Sequence, residues 1–366
     1  MIDKTKIRKA EDLLEDYRGR FEEFLIDYLN EKVTVLKEIE PLGEEAGRLI
    51  EEFVLNGGKR IRAALVYFGY RTAGGNGNSN IAFASASIEL LHSYFLIHDD
   101  IIDKSDLRRG LPTIHTKYQQ MYREKGLISN SPSNGKTDIP YAMAIINGDM
   151  CCALAYEALV ESGFQANKIV KVLKIMHETA KFSAVGELVD IVETISNKAT
   201  EERILRMHYL KTAKYTVEAP LLIGAILQGA SPRVIDSLSK YAIPVGVAFQ
   251  VHDDILGVFG EEGRLGKSVS SDIQEGKQTL LTVKAIEKAS PQQKKKLEFF
   301  MGNPNTKIDM DEVRKIIEDT GALEYSKEKE ISLSEQGKKA LIDAPIQEDI
   351  KDILLGFADL LIEREY

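Results

Sequence analysis

Residues 88–103, IELLHSYFLIHDDIID, join a largely apolar segment to three carboxylates, Asp99, Asp100 and Asp103. In a helix, Asp99 and Asp103 lie one turn apart on the same face, so their negative charges converge. Carboxylates gathered beside an apolar core require a compensating cation. A set of oxygen ligands, with no cysteine and no paired histidine, suits a hard ion such as Mg²⁺. The stretch therefore predicts an acidic helix that binds Mg²⁺.

A second stretch, FQVHDDILG at residues 249–257, repeats the tetrapeptide HDDI and contributes Asp253 and Asp254. Both stretches are apolar over several turns, which predicts helices in the middle of a bundle. Apolar residues elsewhere recur at helical spacing, and no convincing run alternates apolar and polar residues as a strand would. The sequence therefore predicts an all-α bundle in which two acidic helices face one another across a shared site.

Length and composition limit the class of protein. The 366 residues are 43% hydrophobic and 29% charged, which is enough apolar material for a sizeable core. The net charge of -9 argues against a nucleic-acid-binding surface, so basic groups that bind an anion must be local. We predict a single domain over residues 1–366, with an N-terminal amphipathic helix in 1–45 that Pro41 and Gly43 interrupt, and C-terminal helices in 282–366 that complete the bundle.

The cysteines and the apolar runs indicate the compartment. Cys151 and Cys152 are neighbours in sequence, are poorly placed to form a disulfide or a metal site, and fit a reducing cytoplasm. The N-terminus lacks the apolar segment of a secretory signal peptide. Apolar runs such as residues 221–227 are far shorter than the roughly 20 residues that a membrane-spanning helix needs. We therefore predict a soluble cytoplasmic protein without stable membrane insertion.

Basic clusters alternate with the acidic ones along the chain. NGGKRIR at residues 56–62 precedes the first acidic stretch, Arg108 and Arg109 follow it, and a Gly-rich loop with Lys267 and Lys277 follows the second. Carboxylates that bind Mg²⁺ usually leave part of its coordination shell to substrate phosphates, and phosphates also bind Lys and Arg. The alternation therefore predicts a site for phosphate-bearing substrates.

The order of these motifs resembles that of the trans-isoprenyl diphosphate synthases, the family of farnesyl and geranylgeranyl diphosphate synthases, in an archaeal-type short-chain form. The resemblance covers roughly residues 55–281 and rests on GGKRIR, ELLHSYFLIHDDIID, LRRG, LKTA, FQVHDD and LGKSVSSDIQEGK. It implies the isoprenoid synthase fold, an all-α bundle around a deep central cavity, and a homodimer. It also implies about two or three Mg²⁺ ions that bridge the diphosphate of an allylic substrate.

The resemblance implies a role for each matching position. The Mg²⁺ ligands would be Asp99, Asp100, Asp103, Asp253 and Asp254. The pocket for isopentenyl diphosphate would consist of Lys59, Arg62, His92 and Arg109. The allylic diphosphate side would consist of Arg108, Lys211, Gln250, Lys267 and Lys277, with Thr212 at the reacting end. Without the resemblance, His92 is interpreted as a core histidine. Lys211 and Lys214 could equally be surface residues of an amphipathic helix, and Lys267 and Lys277 could simply solvate a loop.

The implied reaction is the head-to-tail condensation of isopentenyl diphosphate with dimethylallyl, geranyl or farnesyl diphosphate, which gives farnesyl or geranylgeranyl diphosphate plus diphosphate. Two alternatives stay open: a terpene cyclase or head-to-head synthase on the same fold, and a non-catalytic regulatory subunit of a heteromeric synthase. Intact GGKRIR and Arg109 argue against a cyclase, because they fit a second diphosphate. Intact Asp99, Asp100, Asp103 and Lys267 argue against a non-catalytic subunit.

Product length depends on the residues just before the first aspartates. Tyr94 and Phe95 lie about one helical turn before Asp99. In the family that the chain resembles, bulky residues at these positions restrict the product to short chains. Ordinary core packing is the alternative role. The sequence leaves fifteen-carbon and twenty-carbon products both open.

The chain also departs from the family's pattern. Gly257 stands where many members have a third aspartate, so the second motif carries two carboxylates. Gly186 and Glu187 replace a common Gly-Gln pair, and the sequence assigns neither a role. His98 and His252 precede the aspartates and suggest zinc, but no HxxxH spacing or cysteine partner supports a zinc site.

Overall fold

The computed structural model describes residues 3–76, 79–128, 138–196, 198–260, 269–303, 306 and 308–364. Within these residues helices dominate, and the strands form one two-stranded hairpin. The predicted all-α class is therefore confirmed, with the hairpin as a local exception. Lys267, which was assigned to the allylic diphosphate side, lies outside the described residues.

The described helices include one stretch of π-helix, in which backbone hydrogen bonds span five residues instead of four. In chain order the elements are α1 (Lys4–Ile39), α2 (Pro41–Leu55), α3 (Ile61–Thr72), α4 (Ser79–Ile102), β1 (Leu107–Arg108), β2 (Leu111–Pro112), α5 (Ile114–Glu124), α6 (Ile139–Glu161), α7 (Ala166–Ser196), α8 (Glu201–His208), the π-helix (Tyr209–Glu218), α9 (Ala219–Gln228), α10 (Pro232–Phe259), α11 (Ser271–Glu275), α12 (Leu280–Lys288), α13 (Pro291–Phe300), α14 (Met310–Asp319), α15 (Ala322–Lys339) and α16 (Glu348–Glu363).

The chain divides into two compact units, and each is described by itself. The amino-terminal unit consists of Leu14–Tyr67 and Gly77–Gln165. The carboxy-terminal unit consists of Met1–Leu13, Phe68–Asn76 and Ala166–Tyr366. The single domain over residues 1–366 stays a prediction.

The predicted N-terminal amphipathic helix forms and ends where expected. Its apolar face is buried, and the Tyr17 ring stacks on the Tyr67 ring with centroids 4.5 Å apart. The break falls at Glu40, whose extended backbone is the conformation favoured before a proline. Pro41 then starts α2, because its missing N–H costs nothing at the first helical position. Gly43, in contrast, lies within α2 and does not interrupt it.

In the amino-terminal unit, α4 packs along α6, and α2 and α5 also contact α6. Leu90 and Leu91 of α4 are fully buried, and the Cys151 thiol of α6 donates a hydrogen bond to the Leu90 carbonyl at 3.3 Å. Burial on this scale stabilises each leucine side chain by about 2 kcal/mol. The packing holds the helix that ends in the first aspartate motif.

In the carboxy-terminal unit, α10 packs against the π-helix, α15 and α16. Two glycines let neighbouring helices approach the π-helix closely. A Cβ on Gly186 of α7 would lie 2.7 Å from the backbone nitrogen of Lys211, and a Cβ on Gly246 of α10 would lie 2.6 Å from Cα of Ala213. Both distances are too short for real atoms, so glycine is required on each side of this segment.

Among the described residues, three helices are long and apolar enough to span a membrane by length and composition alone: Asn80–Ile102, Ile139–Glu161 and Pro232–Phe259. The expectation that apolar runs are too short is therefore wrong for these helices, because small and weakly polar residues extend their apolar stretches. In these three helices, 61%, 44% and 72% of the most apolar 18-residue segment is buried inside the protein. Packing against protein therefore accounts for much of their apolar character.

Candidate active site

The first aspartate motif occupies the last turn of α4. The Asp103 N–H donates to the Asp99 carbonyl at 2.8 Å, so the helical pattern continues to Asp103. Lys104 then adopts a φ of 54°, in the left-handed region, and ends the helix. Asp99 and Asp103 therefore lie one turn apart, as the sequence predicts, while Asp100 is buried with 1% of its surface exposed.

A tight hairpin brings Arg108 onto these aspartates. β1 and β2 pair across a two-residue loop, Arg109 and Gly110, with φ of 52° and 77°. Two positive φ values are typical of the type I′ turn, whose twist matches that of paired strands. Arg108 donates from Nε to Asp100 Oδ1 at 2.7 Å and from Nη2 to Asp99 Oδ2 at 3.4 Å. The all-α prediction missed this hairpin.

The buried Asp100 carboxylate is incompletely stabilised. Burial raises the pKa of Asp100 from 3.8 to about 6, although the Arg108 guanidinium opposes the rise. Its Oδ2 atom has no hydrogen-bond partner among the described residues. A carboxylate in this state favours a nearby cation. The observation fits a metal ligand better than a structural carboxylate.

The residues predicted for isopentenyl diphosphate lie around a cluster of positive charge in the same unit. Arg62 Nη1 lies 3.2 Å from His92 Nε2. Arg109 Nη1 donates to the carbonyls of Asn56 and Gly57 at 2.8 and 2.9 Å. Lys59 lies in the same GGKRIR loop, part-buried.

Burial and neighbouring positive charges lower the pKa values of His92 and Arg109 in this cluster. Burial and then the Arg62 guanidinium hold the pKa of His92 well below 6.5, so the imidazole is neutral at pH 7. Burial and then the Arg108 guanidinium lower the pKa of Arg109. Cations crowded together in this way favour an anion between them. The cluster is therefore a candidate anion site.

Arg60, in the middle of the GGKRIR loop, has a different role. It is buried with a φ of 51° and pairs with Glu89 at 3.3 Å and with Glu22 at 3.4 Å. Glu89 also accepts a hydrogen bond from the Ala63 N–H at 3.2 Å. These contacts anchor the loop. Arg60 therefore stabilises the loop, whereas Lys59 and Arg62 are the residues predicted to bind substrate.

Tyr94 and Phe95 are half-buried on α4, with ring centroids 5.0 Å apart. The Tyr94 ring also makes an edge contact with the His98 ring at 4.7 Å. Their position one turn before Asp99 is the one predicted. The role in product length stays a prediction.

The carboxy-terminal unit contains a separate cavity of about 330 Å³ at the second aspartate motif. Its walls come from α7, α8, the π-helix, α10, α11 and the segment after α11. Six residues predicted for metal or allylic diphosphate binding line it: Lys211, Thr212, Gln250, Asp253, Asp254 and Lys277. The structure thus brings together positions that are up to 66 residues apart (277 minus 211) in the sequence.

A chain of hydrogen bonds orients Asp254 in this cavity. Thr212 Oγ1 donates to Gln250 Oε1 at 2.7 Å, and Gln250 Nε2 donates to Asp254 Oδ1 at 3.0 Å. His208 Nε2 lies 3.1 Å from Asp254 Oδ2 and is 1% exposed. Sequence reasoning missed His208, because this residue stands one position before the π-helix and belongs to no motif. Gln250 and Thr212 therefore position a carboxylate as well as line the cavity.

Lys211 is held by two acids. Its ammonium lies 2.7 Å from Glu187 Oε2 and 2.8 Å from Asp190 Oδ2. The sequence assigned no role to Gly186 and Glu187. In the structure, Glu187 pairs with Lys211, and Gly186 allows the backbone of Lys211 to approach α7 closely. Lys277 lies 3.0 Å from Glu275 Oε2.

The C-terminal helix also reaches the second motif. Arg364, which follows α16, forms an ion pair with Asp253, and its guanidinium lies 4.2 Å above the Phe249 ring. Its carbonyl lies 2.8 Å from His252 Nε2. The sequence indicated no chemistry in this region, because a single arginine near the end of a chain carries no motif. Arg364 is therefore a site residue that only the fold reveals.

A family model described as polyprenyl synthetase matches residues 44–320 of the chain. The chain belongs to the polyprenyl synthetase family. The predicted family and fold are therefore confirmed, and prenyltransferase activity follows from the family.

Individual relatives agree with this assignment. This polyprenyl synthetase is 33% identical to a short chain isoprenyl diphosphate synthase of Methanothermobacter thermautotrophicus, over 87% of this chain and 90% of that protein. It is 32% identical to a geranylgeranyl diphosphate synthase of Methanosarcina mazei, over 88% and 91% of the two chains. It superposes with a TM-score of 0.87 on a geranylgeranyl pyrophosphate synthase of Corynebacterium glutamicum solved with isoprenyl diphosphate and magnesium, with 32% identity over 94% of this chain and 99% of that one.

The side chains of this polyprenyl synthetase suit Mg²⁺ better than zinc. Oxygen donors predominate in both aspartate motifs, and the unpartnered Asp100 oxygen fits a hard cation. His98 Nε2 lies 3.1 Å from the Ile145 carbonyl, and His252 Nδ1 lies 3.1 Å from Glu330 Oε2. In the described part of the chain, no group of three or more His, Cys, Asp or Glu side chains is arranged to hold a metal by itself.

Proposed function

We propose that this polyprenyl synthetase condenses isopentenyl diphosphate head to tail with an allylic diphosphate and releases diphosphate. The basic cluster formed by the Arg62 and Arg109 guanidinium groups, with the neutral His92 imidazole beside Arg62, carries this proposal. The cluster suits the diphosphate of isopentenyl diphosphate, which stays on the product. The aspartate motifs suit the diphosphate of the allylic substrate, which is released. A condensation of these two substrates needs a binding site for each diphosphate.

We assign the allylic diphosphate to the aspartates and their basic neighbours. Asp99, Asp100 and Asp103, together with Asp253 and Asp254, would hold two or three Mg²⁺ ions, whose positive charge stabilises the departing diphosphate. In the described part of the chain no three such side chains are arranged to hold an ion by themselves, so substrate oxygens would supply further ligands. Arg108, Lys211 and Lys277, with Lys267, neutralise the same anion.

The remaining residues orient the substrates and protect the carbocation. Lys59, Arg62, His92 and Arg109 hold isopentenyl diphosphate so that its double bond meets the allylic carbon. Thr212 and Gln250 present only hydroxyl and amide groups near the reacting end, which do not quench a carbocation as a stronger nucleophile would. The released diphosphate accepts the proton that the product loses. Tyr94 and Phe95 limit the chain to fifteen or twenty carbons.

A homodimer in the cytoplasm completes the proposal. Helix α7 leaves an apolar stripe exposed at helical spacing, formed by Val185, Leu188, Val192 and Ile195. A stripe of this size on a long helix favours burial against a second copy. Light scattering after size-exclusion chromatography tests the dimer, and a monomer at micromolar concentration would contradict it.

Incubation with radiolabelled isopentenyl diphosphate and each allylic primer tests the reaction, with products dephosphorylated and sized. Mg²⁺-dependent incorporation of label is expected with at least one primer, and EDTA should abolish it. A cyclase or head-to-head synthase would consume the allylic substrate alone, and a regulatory subunit would consume neither. Either of these results would replace the proposal.

A further inference from the structure

The second aspartate motif contains a gap at Gly257. On α10, Asp253 and position 257 are one turn apart and share a face. A carboxylate at 257 would therefore lie beside that of Asp253, as Asp103 follows Asp99 at the end of α4. Glycine provides no side chain there.

A carboxylate from another segment lies in this gap. A Cβ built on Gly257 would be 2.4 Å from Asp272 Oδ2, the nearest atom in its surroundings. Standard bond lengths place the carboxylate oxygen of an aspartate roughly 2.4 Å from its own Cβ. Asp272 Oδ2 therefore lies at the distance from position 257 that an aspartate carboxylate at 257 would reach.

Burial and hydrogen bonds fix the backbone around Asp272. Asp272 belongs to the short helix α11, whose next residue, Ile273, is 1% exposed within a hydrophobic core cluster. The Lys277 N–H donates to the Asp272 carbonyl at 2.9 Å, and the Gly276 N–H donates to the Ile273 carbonyl at 3.1 Å. Asp272 is itself 8% exposed, and it lines the same cavity as Asp253 and Asp254.

We propose that Asp272 supplies the third carboxylate of the second aspartate motif, which Gly257 makes room for. The inference rests on the proposed function, because it concerns the divalent cation that accompanies the allylic diphosphate. Asp253 is paired with Arg364 in the structure, and Asp272 would hold the cation together with the diphosphate. A side chain at 257 would collide with the Asp272 oxygen and displace it, which glycine avoids.

Exchange of the carboxylate between the two positions tests this assignment. We expect Asp272→Asn to weaken Mg²⁺-dependent binding of inorganic pyrophosphate about 10- to 100-fold by titration calorimetry. Gly257→Asp alone should weaken it as well, because two carboxylates then compete for one space. The double variant Gly257→Asp with Asp272→Ala should restore binding to within about threefold of the unchanged protein.

Controls separate this inference from the proposed function. Asp253→Asn should abolish Mg²⁺-dependent pyrophosphate binding, and Asp311→Asn, whose parent side chain is 98% exposed, should leave it unchanged. Circular dichroism verifies that each variant is folded. Wild-type binding in folded Asp272→Asn, with binding lost in Asp253→Asn, would overturn the role of Asp272 alone. A double variant that binds no better than Gly257→Asp would overturn it too, whereas no Mg²⁺-dependent binding by the unchanged protein would overturn the proposed function.

Discussion

Replacement of Asp100 by asparagine should make the metal-free protein more stable. Asp100 is 1% exposed, one of its oxygens lacks a hydrogen-bond partner among the described residues, and burial raises its pKa to about 6. The folded protein therefore holds a carboxylate whose charge opposes folding. Asparagine has nearly the same shape and carries no charge.

The magnitude follows from the two pKa values of Asp100. Its pKa is raised on folding from 3.8 to about 6, so its contribution to stability is full below 3.8 and is lost as pH rises through 6. At about 1.4 kcal/mol per pH unit, the loss is about 3 kcal/mol at pH 8. At about pH 5 the loss of stability is only about 1.6 kcal/mol, because Asp100 in the folded protein is still mostly protonated at that pH.

Urea unfolding in EDTA at about pH 5 and pH 8 measures this difference. The gain in the free energy of unfolding of Asp100→Asn over the unchanged protein should grow by roughly 1.5 kcal/mol between the two pH values. Asp106→Asn, which changes an exposed carboxylate four residues beyond the end of α4, should show no such growth. A gain that is equal at both pH values, or a loss of stability at pH 8, would refute the reasoning.

Two further predictions concern product length and the C-terminus. Phe95→Ala or Tyr94→Ala should lengthen the product by at least one five-carbon unit in the radiolabel assay, because a bulky ring is removed one turn before Asp99; unchanged length in both active variants would contradict this role. Arg364→Ala should lower the Mg²⁺ concentration for half-maximal activity about threefold, because it releases Asp253 from a partly buried ion pair. Arg364→Lys, which keeps the charge, is the control, and an unchanged Mg²⁺ requirement in Arg364→Ala would show that the pair does not compete with the metal.

The sequence by itself determined the family, the helical class and most of the charged residues, because these depend on local patterns. Both apolar runs that end in HDDI lie in largely buried helices, α4 and α10, and the glycines of GGKRIR mark the break before α3. The sequence also predicted the helix break before Pro41, because proline restricts the conformation of the residue that precedes it. It did not predict the hairpin at Arg109, because two-residue strands are too short to show alternation and arginine rarely adopts positive φ.

Only the tertiary structure decided which residues share a site. His208, Arg364 and Asp272 each contact the second aspartate motif from another segment, and Arg364 is 111 residues away from Asp253. No local pattern encodes such contacts, because they depend on how α8, α11 and α16 pack against α10. The sequence shows only that Gly257 stands where a third carboxylate is expected. The fold shows that the Asp272 carboxylate lies next to that position.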